Sequence, residues 1–485
     1  MADIVLVKPS VGWYDTIKSH LDVPLGILGA ATLVNQEYEV KIIDQQLDQE
    51  WKKHIRQELN QNPLLVGMGA MTGEQLRHAI EIAEFVRQEE KKMPIVWGGI
   101  HPTLMPEQTI KDARVDYVVK GEGEVTIKEL AKSLEKGKSI DTVQGIYYKD
   151  NGFIKSTPQR PYADMNELPI MPFELLDMEK YLPKNFGMKS IILESSRGCP
   201  FRCTFCRNTT SYFRRWGALR PEKVIELMQH VKEKYGVKAV HFQDENFFTD
   251  INRAKETVGL IKTELPDMQW LVNSLRIDTL DRMDRDFLRL IDDSNCIQLK
   301  IGVESGSPRI LKMIKKDITV EQVIRVNRKL ADFKTSPLYN FMCAFPHETV
   351  EDIRKTVNLI FKLYHDNKKA KSSAINIYTP YPGTELYDET IKMGFKEPET
   401  LDEWSQYSFE KTEPVWLPKE QQRLVKSLFF SSLFMTGYDE EFINSPFIKL
   451  GIKLYQPIAK FRTKNMFFKG MIEPKIKEMV VRNYE

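Results

Sequence analysis

Two blocks of alternating strand and helix patterns constrain the fold of this chain most strongly. The first block covers residues 1–150 and has short apolar runs at residues 4–7, 38–44, 64–69, 94–99 and 116–119. The second covers residues 188–400 and has similar runs at residues 190–194, 239–247, 270–276, 297–307, 339–345 and 373–378. Because strands that alternate with helices build parallel sheets, the sequence predicts an α/β fold. We expect a doubly wound, Rossmann-like domain followed by a partial (βα)6 barrel of the TIM type.

The segments between and after these blocks differ in composition. Prolines recur from residue 158 to residue 183, and their fixed φ and missing N–H disfavour regular structure. We therefore expect residues 151–187 to form an extended linker. Beyond residue 400 the alternation gives way to helical and aromatic runs, which predicts a helical C-terminal region over residues 401–485.

Composition and charge argue against several classes of protein. The 485 residues carry a formal net charge of +2, which gives no global reason to expect a nucleic-acid partner. Five cysteines in a chain of this length do not make a secreted disulfide framework, so we expect reduced thiols and a cytoplasmic location. The N-terminus has no signal-peptide pattern, and no apolar run reaches the roughly 18 residues of a membrane-spanning helix.

Three cysteines lie together on one loop. Cys199, Cys203 and Cys206 have the spacing C-x3-C-x2-C and directly follow the apolar run at residues 190–194. Three thiolates can hold three irons of a cubic cluster, and with no fourth cysteine nearby one iron stays open. A zinc site with a distant fourth ligand and a disulfide are alternatives. The other two cysteines, Cys296 and Cys343, lie in apolar strand-like runs where cysteine acts as a small hydrophobic residue.

This cysteine loop, with an aromatic residue before its last cysteine, resembles that of the radical S-adenosylmethionine (SAM) superfamily. Residues 302–307, Gly-Val-Glu-Ser-Gly-Ser, closely resemble the superfamily's SAM-binding Gly-Ile-Glu-Ser-Gly-Ser, and residues 380–386 match its Pro-x-Pro-Gly-Thr-Glu-Leu loop. The resemblance implies a [4Fe–4S] cluster held by the three cysteines, with SAM on the open iron. The implied SAM-binding residues are Phe205, Gln243, Asn273, Arg276, Glu304 and Ser305.

Two features of this second block stay open. Relatives typically read Gly-Leu-Pro-Gly-Glu-Thr where this chain has Ala344 and His347 in place of the two glycines, which puts close backbone approach to SAM in doubt. The acidic pair Asp244 and Glu245 ends the second predicted strand, where the superfamily usually has acidic residues near the mouth of the site.

Glycine-rich loops follow the predicted strands of the first block. Residues 98–103, Gly-Gly-Ile-His-Pro-Thr, and residues 121–124, Gly-Glu-Gly-Glu, resemble the cobalamin-binding domain that precedes many radical SAM domains. The Asp-x-His-x-x-Gly motif of many cobalamin proteins is missing at residues 8–14, as it often is in radical SAM relatives. We expect His101 to hydrogen-bond rather than to ligate cobalt. The implied cobalamin contacts are Leu25, Gly26, Met71, Thr72, Gly98, Gly99, His101, Gly121 and Glu122.

The resemblance implies an enzyme that cleaves SAM reductively to a 5′-deoxyadenosyl radical, with an electron donor such as flavodoxin or ferredoxin. Cobalamin would then carry a methyl group to an unactivated carbon of a small-molecule or lipid-like substrate, since C-methylation is the commonest outcome in this architecture. Cyclisation or carbon–carbon coupling without methyl transfer is the main alternative. Methylthiolation is disfavoured because all five cysteines lie beyond residue 198. A cobalamin or metal sensor is a more distant alternative.

The end of the chain is basic and apolar. Residues 446–485 contain nine Lys or Arg against three Glu, interleaved with large apolar side chains. One interpretation is an amphipathic helix that packs on the body of the protein with a solvated basic face. The alternative is peripheral contact with an anionic membrane or a lipid-like substrate.

Overall fold

The computed structural model describes residues 2–11, 22–185, 187–407, 413–435, 446–468 and 470. The chain forms two compact units. The first unit takes in most of residues 2–179 together with residues 396–407. The second takes in most of residues 180–395 and residues 413–470.

The first unit alternates strands with helices as predicted. Its elements, in chain order, are β1 (Ile4–Lys8), α1 (Leu25–Val34), β2 (Val40–Asp44), α2 (Trp51–Leu59), β3 (Leu65–Gly69), α3 (Glu74–Glu89), β4 (Ile95–Gly98), α4 (Ile100–Leu104), α5 (Pro106–Lys111), β5 (Tyr117–Val119), α6 (Glu124–Glu135), β6 (Ile146–Asp150) and β7 (Phe153–Ser156). Short 3-10 turns follow at Met165–Glu167, Phe173–Leu175 and Met178–Tyr181.

The strands of the first unit form one twisted sheet in the order β2-β1-β3-β4-β5-β6-β7. β1 to β5 are parallel, and β6 and β7 extend the sheet as an antiparallel hairpin. Every residue of β1 is buried, as expected for a central strand with helices on both faces. The order 2-1-3-4-5 is the flavodoxin-like doubly wound topology, whose ligands bind at the carboxyl ends of the strands.

The boundary of the first unit differs from the predicted one at residue 150. β7 pairs with β6, so the predicted linker over residues 151–187 begins with a strand of the first sheet. A short helix, α16 (Leu401–Ser405), packs against α3, so residues 396–407 belong to this unit and not to the C-terminal region.

The second unit begins with an edge strand that the sequence did not predict. Its elements up to residue 395 are β8 (Lys184–Asn185), β9 (Met188–Leu193), β10 (Ser196–Gly198), α7 (Asn208–Ser211), β11 (Trp216–Ala218), α8 (Pro221–Tyr235), β12 (Ala239–Phe242), α9 (Ile251–Glu264), β13 (Gln269–Arg276), α10 (Ile277–Arg282), α11 (Arg285–Asp293), β14 (Cys296–Glu304), α12 (Pro308–Met313), α13 (Val320–Leu330), β15 (Ser336–Cys343), α14 (Val350–Asp366), β16 (Lys371–Ile377) and α15 (Glu385–Lys392).

Its main sheet has the order β16-β15-β14-β13-β12-β9-β8. The six predicted strands are β9 and β12 to β16, and they run parallel as a half-barrel. Two predicted strands end early, at Phe242 rather than residue 247 and at Glu304 rather than residue 307. Beyond the first of these strand ends, Asp244 and Glu245 bond to the segment that follows β9. Beyond the second, Ser305 and Ser307 contact Thr356 and Asp352 of α14.

Two helices complete the second unit, α17 (Lys419–Leu433) and α18 (Pro446–Asn465). α17 packs on the edge strand β16, and the hydroxyl of Ser432 accepts a hydrogen bond of 2.9 Å from the Ile375 N–H. The helix thus covers an edge that would otherwise present free backbone groups. No helix in the described part of the chain is long and apolar enough to cross a membrane.

Candidate functional site

The cysteine loop follows β9 at the carboxyl edge of the half-barrel. Cys203 is buried and Cys199 and Cys206 are partly buried. Burial, with a smaller contribution from the neighbouring Cys203 and Cys199 thiols, raises the pKa of the Cys206 thiol to about 11. All five cysteines are free thiols. Among the described residues, no group of three or more His, Cys, Asp or Glu is placed to hold a single metal ion.

Asp244 and Glu245, which follow β12, form hydrogen bonds with the segment that leads into the cysteine loop. Asp244 is buried and accepts hydrogen bonds from the Ser195 N–H at 2.8 Å, from the Ser195 hydroxyl at 2.7 Å and from the Ser196 hydroxyl at 2.5 Å. Glu245 accepts one of 3.1 Å from the Gly198 N–H. The pair therefore positions the segment that leads into the cysteines, and both carboxylates are bonded within the protein.

A small antiparallel ribbon shapes the start of the loop. β10 pairs with β11, which brings Gly198 opposite Trp216. Gly198 has φ of +79°, and a Cβ there would lie 2.2 Å from the carbonyl oxygen of Arg215. Only glycine can occupy this position, so the Gly-Cys-Pro turn is required by the close approach of the two strands.

Arg276 at the end of β13 contacts the cysteine loop directly. Its Nη1 donates to the Cys203 Sγ at 3.4 Å, and its guanidinium lies 3.8 Å from the centre of the Phe201 ring. Its Nε donates to Asp278 at 2.8 Å, and its Nη2 donates to the carbonyl of Lys316. Because these contacts occupy the guanidinium, Arg276 is placed to orient the Cys203 sulfur. Its role in binding SAM stays a prediction.

Glu304 and Lys316 form a buried ion pair beside the same loop. The Lys316 Nζ lies 2.7 Å from the Glu304 Oε1, and both side chains are buried. Glu304 has φ of +71°, which is unusual for a residue with a side chain. A Cβ at Gly302 would lie 2.5 Å from the Glu304 Oε1 and 2.9 Å from the Lys316 Nζ, so glycine leaves room for the pair.

Two further predicted SAM residues contact each other. The side-chain amide of Asn273 donates to the Gln243 Oε1. The Asn273 Oδ1 is buried and has no hydrogen-bond partner in the part of the chain that the structure describes. An unsatisfied buried acceptor is costly, so this oxygen is suited to a donor group of a bound cofactor.

The remaining predicted SAM residues make contacts within the protein. The Phe205 ring lies 5.9 Å from the Phe345 ring, edge to face. The Ser305 hydroxyl is fully buried, accepts a hydrogen bond of 3.1 Å from the Ser307 N–H and lies 3.2 Å from the Thr356 hydroxyl. Since that hydroxyl already has two partners, the predicted contact of Ser305 with SAM depends on its backbone.

The two positions where relatives carry glycine keep the glycine conformation. Ala344 has φ of +68° and His347 has φ of +59°. A left-handed backbone costs a residue with a side chain roughly 1 kcal/mol, so the backbone just after β15 is strained at both positions. His347 is half exposed, and its Nε2 lies 3.0 Å from the Glu389 Oε1.

The predicted cobalamin residues of the first unit gather at the carboxyl edge of its sheet. Met71 and Thr72 follow β3, Gly98 ends β4 with Gly99 and His101 just beyond it, Gly121 and Glu122 follow β5, and Leu25 and Gly26 begin α1. Met71 is exposed. Two of these residues hold neighbouring loops: the Gly121 N–H donates to the Thr103 hydroxyl at 3.0 Å, and the Glu122 Oε2 accepts from the Ala163 N–H at 3.0 Å.

His101 is completely buried, contrary to what a loop histidine suggests. Its Nδ1 lies 3.1 Å from the Thr72 hydroxyl, and its ring meets the Trp404 ring edge to face at 5.4 Å. Burial lowers the pKa of His101 to about 3, so the imidazole is neutral. The Nε2 is buried with no hydrogen-bond partner among the described residues. The contact with the Thr72 hydroxyl agrees with the expectation that His101 forms a hydrogen bond, and its predicted contact with cobalamin stays a prediction.

Comparisons with known proteins decide the family. A family model of the radical SAM superfamily matches residues 193–360, and one of the B12 binding domain matches residues 22–131. The chain is 34% identical, over 394 residues, to an uncharacterized methyltransferase of Pyrococcus horikoshii, covering 81% of this chain and 83% of that protein. The chain belongs to the radical SAM superfamily. It is one of the members that carry a B12-binding domain.

Other relatives of this radical SAM enzyme differ in their named activities. It is 27% identical to the cytidylyl-2-hydroxyethylphosphonate methyltransferase of Streptomyces wedmorensis, covering 82% of this chain and 83% of that protein. It is 26% identical to the anaerobic magnesium-protoporphyrin IX monomethyl ester cyclase of Rubrivivax gelatinosus, covering 87% and 72%.

Two solved structures share the whole fold. The radical SAM methyltransferase TsrM from Kitasatospora setae matches with a TM-score of 0.70 and 16% identity over 100% of this chain and 99% of that chain. The cobalamin-dependent radical SAM enzyme OxsB matches with a TM-score of 0.74 and 18% identity, covering 99% and 75%. The predicted fold class is therefore confirmed.

The cofactors of this radical SAM enzyme are a [4Fe–4S] cluster, SAM and cobalamin, as predicted. Its residues fit these groups. Three thiols on one loop are the donor set of a cluster with an open iron. In the first unit, a Cβ at Gly26 would meet no atom within 4 Å and one at Gly98 would make only ordinary contacts. The packing of the protein therefore does not explain glycine at residues 26 and 98, and a bound cofactor that approaches the backbone would explain it. Gly99 is different, because it has φ of +93° and a Cβ there would lie 3.0 Å from the Ala70 nitrogen.

Sequence reasoning missed the residues that support the site from outside the motifs. Lys316 lies in a run with Lys312 and Lys315, which is typical of a solvated surface. Arg253 lies on α9 and donates to the Ser195 carbonyl at 2.9 Å. No local pattern identifies either residue, because their partners are 12 and 58 residues away in the chain.

Glu348 should make stability depend on pH. Burial raises its carboxyl pKa from the ordinary 4.5 to about 8. Between these values the folded state keeps a proton that the unfolded state releases, so this group's contribution to stability falls as pH rises, by up to about 1.4 kcal/mol per pH unit. We expect Glu348→Gln to gain stability relative to wild type from pH 5 to pH 8 and no further above that.

Thermal melting of both proteins across this pH range measures the effect. The matched control is Glu351→Gln, because the Glu351 side chain is 66% exposed. A difference between Glu348→Gln and wild type that does not change with pH would contradict the assignment of a proton to this carboxyl.

Proposed function

We propose that this enzyme methylates an unactivated carbon of a small-molecule or lipid-like substrate. One observation carries the proposal: the three thiols lie on one loop of a radical SAM half-barrel in a chain that also has a B12-binding domain. When bound, the cluster and SAM supply a 5′-deoxyadenosyl radical that removes a hydrogen atom from the substrate, and cobalamin supplies the methyl group. A relative named as a methyltransferase, similar over 83% of its length, supports this choice.

In this proposal the chain's own residues hold and orient the reactants. Cys199, Cys203 and Cys206 bind the cluster, and Arg276 directs a hydrogen bond to the second of these sulfurs. Glu304, held by Lys316, accepts hydrogen bonds from the ribose or the amino group of SAM. The other predicted SAM contacts are Phe205, Gln243, Asn273 and Ser305. An electron donor such as flavodoxin or ferredoxin reduces the cluster.

Cyclisation without methyl transfer is the second candidate, because the chain is similar to an anaerobic cyclase over 72% of that protein. Protein purified and reconstituted without oxygen is incubated with methyl-labelled SAM, a reductant and fractions of a small-molecule extract. C-methylation predicts 5′-deoxyadenosine and S-adenosylhomocysteine together, with the label on a carbon of the product. Formation of 5′-deoxyadenosine without S-adenosylhomocysteine or label transfer would overturn methylation in favour of the cyclase.

The cobalamin contacts are tested at Gly26. In Gly26→Leu the new side chain meets no atom of the protein near its Cβ, so the fold is retained while space at the mouth of the sheet is filled. We expect cobalamin affinity to fall roughly tenfold or more, since overpacking of a binding surface costs about 1–3 kcal/mol. Titration with cobalamin, followed by absorbance, measures this affinity.

Gly259→Leu is the matched control for this substitution. Gly259 also lies in a helix, α9, and also has no atom within 4 Å of an added Cβ. The control should bind cobalamin as wild type does. Equal affinity of wild type and Gly26→Leu would show that Gly26 is not part of the cobalamin surface.

A further inference from the structure

The last described helix, α18, has one face packed on the protein. Ile452 and Ala459 are buried and pack with Phe434, which follows α17. On the same face the Thr463 hydroxyl donates to the Ser431 hydroxyl at 3.0 Å. These contacts fix the rotation of α18 about its own axis, and so they determine which of its residues face away from the second unit.

A different face of α18 carries large apolar side chains that remain exposed. Leu450, Leu454, Ile458 and Phe461 are 56%, 70%, 51% and 61% exposed. Their spacing of four, four and three residues places them in one stripe along the helix. Scattered exposed apolar residues need no explanation, but four of them aligned on one helix form a continuous patch, which marks an interaction surface.

Lysines flank this stripe on one side. Lys449, Lys453, Lys460 and Lys464 are spaced by four, seven and four residues, so they share a second face next to the apolar one. The sequence from residue 446 to residue 470 contains no Asp or Glu. The helix therefore combines an exposed apolar stripe with an adjacent row of lysines, and its own sequence contributes no acidic side chain.

We propose that this stripe docks on the surface of an anionic lipid bilayer. A helix with aligned apolar side chains and adjacent lysines lies in the interface with its apolar face among the acyl chains, while the lysines attract acidic headgroups. The helix is bound to the protein along its opposite side, so docking needs no unfolding. The complementary charge favours lipid over a second copy of this chain, whose same helix would bring lysines against lysines. This inference concerns location and does not depend on the reaction proposed above.

Vesicle flotation with the full-length holoenzyme tests the proposal. Wild type should float with vesicles of three parts phosphatidylcholine to one part phosphatidylglycerol, and less with pure phosphatidylcholine or at high salt. The stripe variant Leu454→Ser/Phe461→Ser should lose roughly tenfold in the bound fraction. The charge variant Lys453→Glu/Lys464→Glu should lose binding to the anionic vesicles alone. Phe153→Ser, which replaces an apolar residue that is 74% exposed elsewhere, should bind as wild type does.

Three results would overturn the proposal. One is wild type that stays unbound with both kinds of vesicle. Another is a stripe variant that floats as well as wild type while keeping the same melting temperature. The third is that light scattering shows wild type to be a dimer and the stripe variant to be a monomer, while both float equally. In that case a second copy of the chain, and not lipid, would cover the stripe.

Discussion

Replacing Cys203 with alanine is expected to remove the [4Fe–4S] cluster and, with it, reductive cleavage of SAM. Cys203 is the most buried cysteine of the loop, and its sulfur accepts the hydrogen bond from Arg276. With two thiolates left on the loop, a cubic cluster has too few ligands to be retained. After anaerobic reconstitution, wild type should contain roughly four irons per chain and the variant far fewer. The loss of the cluster is measured by iron and sulfide analysis and by the sulfur-to-iron charge-transfer absorbance. The loss of SAM cleavage is measured by the formation of 5′-deoxyadenosine.

Cys296→Ala is the matched control for this experiment. Cys296 is a buried thiol at the start of β14, outside the loop, and should be dispensable for the cluster. Full iron content in Cys203→Ala, or loss of the cluster in Cys296→Ala, would contradict the assignment of the ligands.

Replacing Lys316 with methionine should destabilise the enzyme strongly. The Lys316 Nζ is 2.7 Å from Glu304, and both side chains are buried. Without the ammonium group the carboxylate stays buried with its charge uncompensated, which costs about 3–5 kcal/mol. For a unit of this size the melting temperature should fall by on the order of 10 °C. Differential scanning calorimetry or circular dichroism measures the shift.

A neighbouring pair provides the control for this change. Lys315 contacts Glu385 at the same distance of 2.7 Å, but these side chains are 40% and 63% exposed. Lys315→Met should cost at most about 1 kcal/mol, as exposed ion pairs do. Adding Glu304→Gln to Lys316→Met should restore part of the lost stability, because the buried charge is then gone. Equal losses in the two lysine variants would show that the buried pair is not stabilising.

The order of strands and helices could be predicted because the signal is local. The six parallel strands of the half-barrel are where the apolar runs placed them, and β1 to β5 match the runs of the first block. The exceptions are informative. The runs ending at residues 247 and 307 were predicted too long. Beyond the true strand ends, Asp244 bonds to the loop after β9 and Ser305 contacts Thr356 on α14. β8 was missed because two residues carry no periodicity.

The candidate site divides in the same way. The three cysteines could be predicted as cluster ligands from their spacing alone, since they are neighbours in the sequence on one short loop. Arg276 and Glu304 were found as polar strand ends, but the sequence did not show that Arg276 contacts the Cys203 sulfur or that Glu304 pairs with Lys316. Likewise, only the tertiary structure shows that Asp244 and Glu245 bond to Ser195 and Gly198 and so position the cysteine loop.

By itself, the sequence determined the fold class and the family and predicted the cluster ligands, because these rest on apolar periodicity and on motifs that span a few residues. The tertiary structure decided which charged groups surround the cysteine loop, that His101 is buried and neutral, and which face of α18 is left exposed. The physical reason is that burial and pairing depend on segments distant in the chain, whose approach no local pattern records. The neighbouring lysines Lys315 and Lys316 illustrate this, because Lys315 is exposed whereas Lys316 is buried against Glu304.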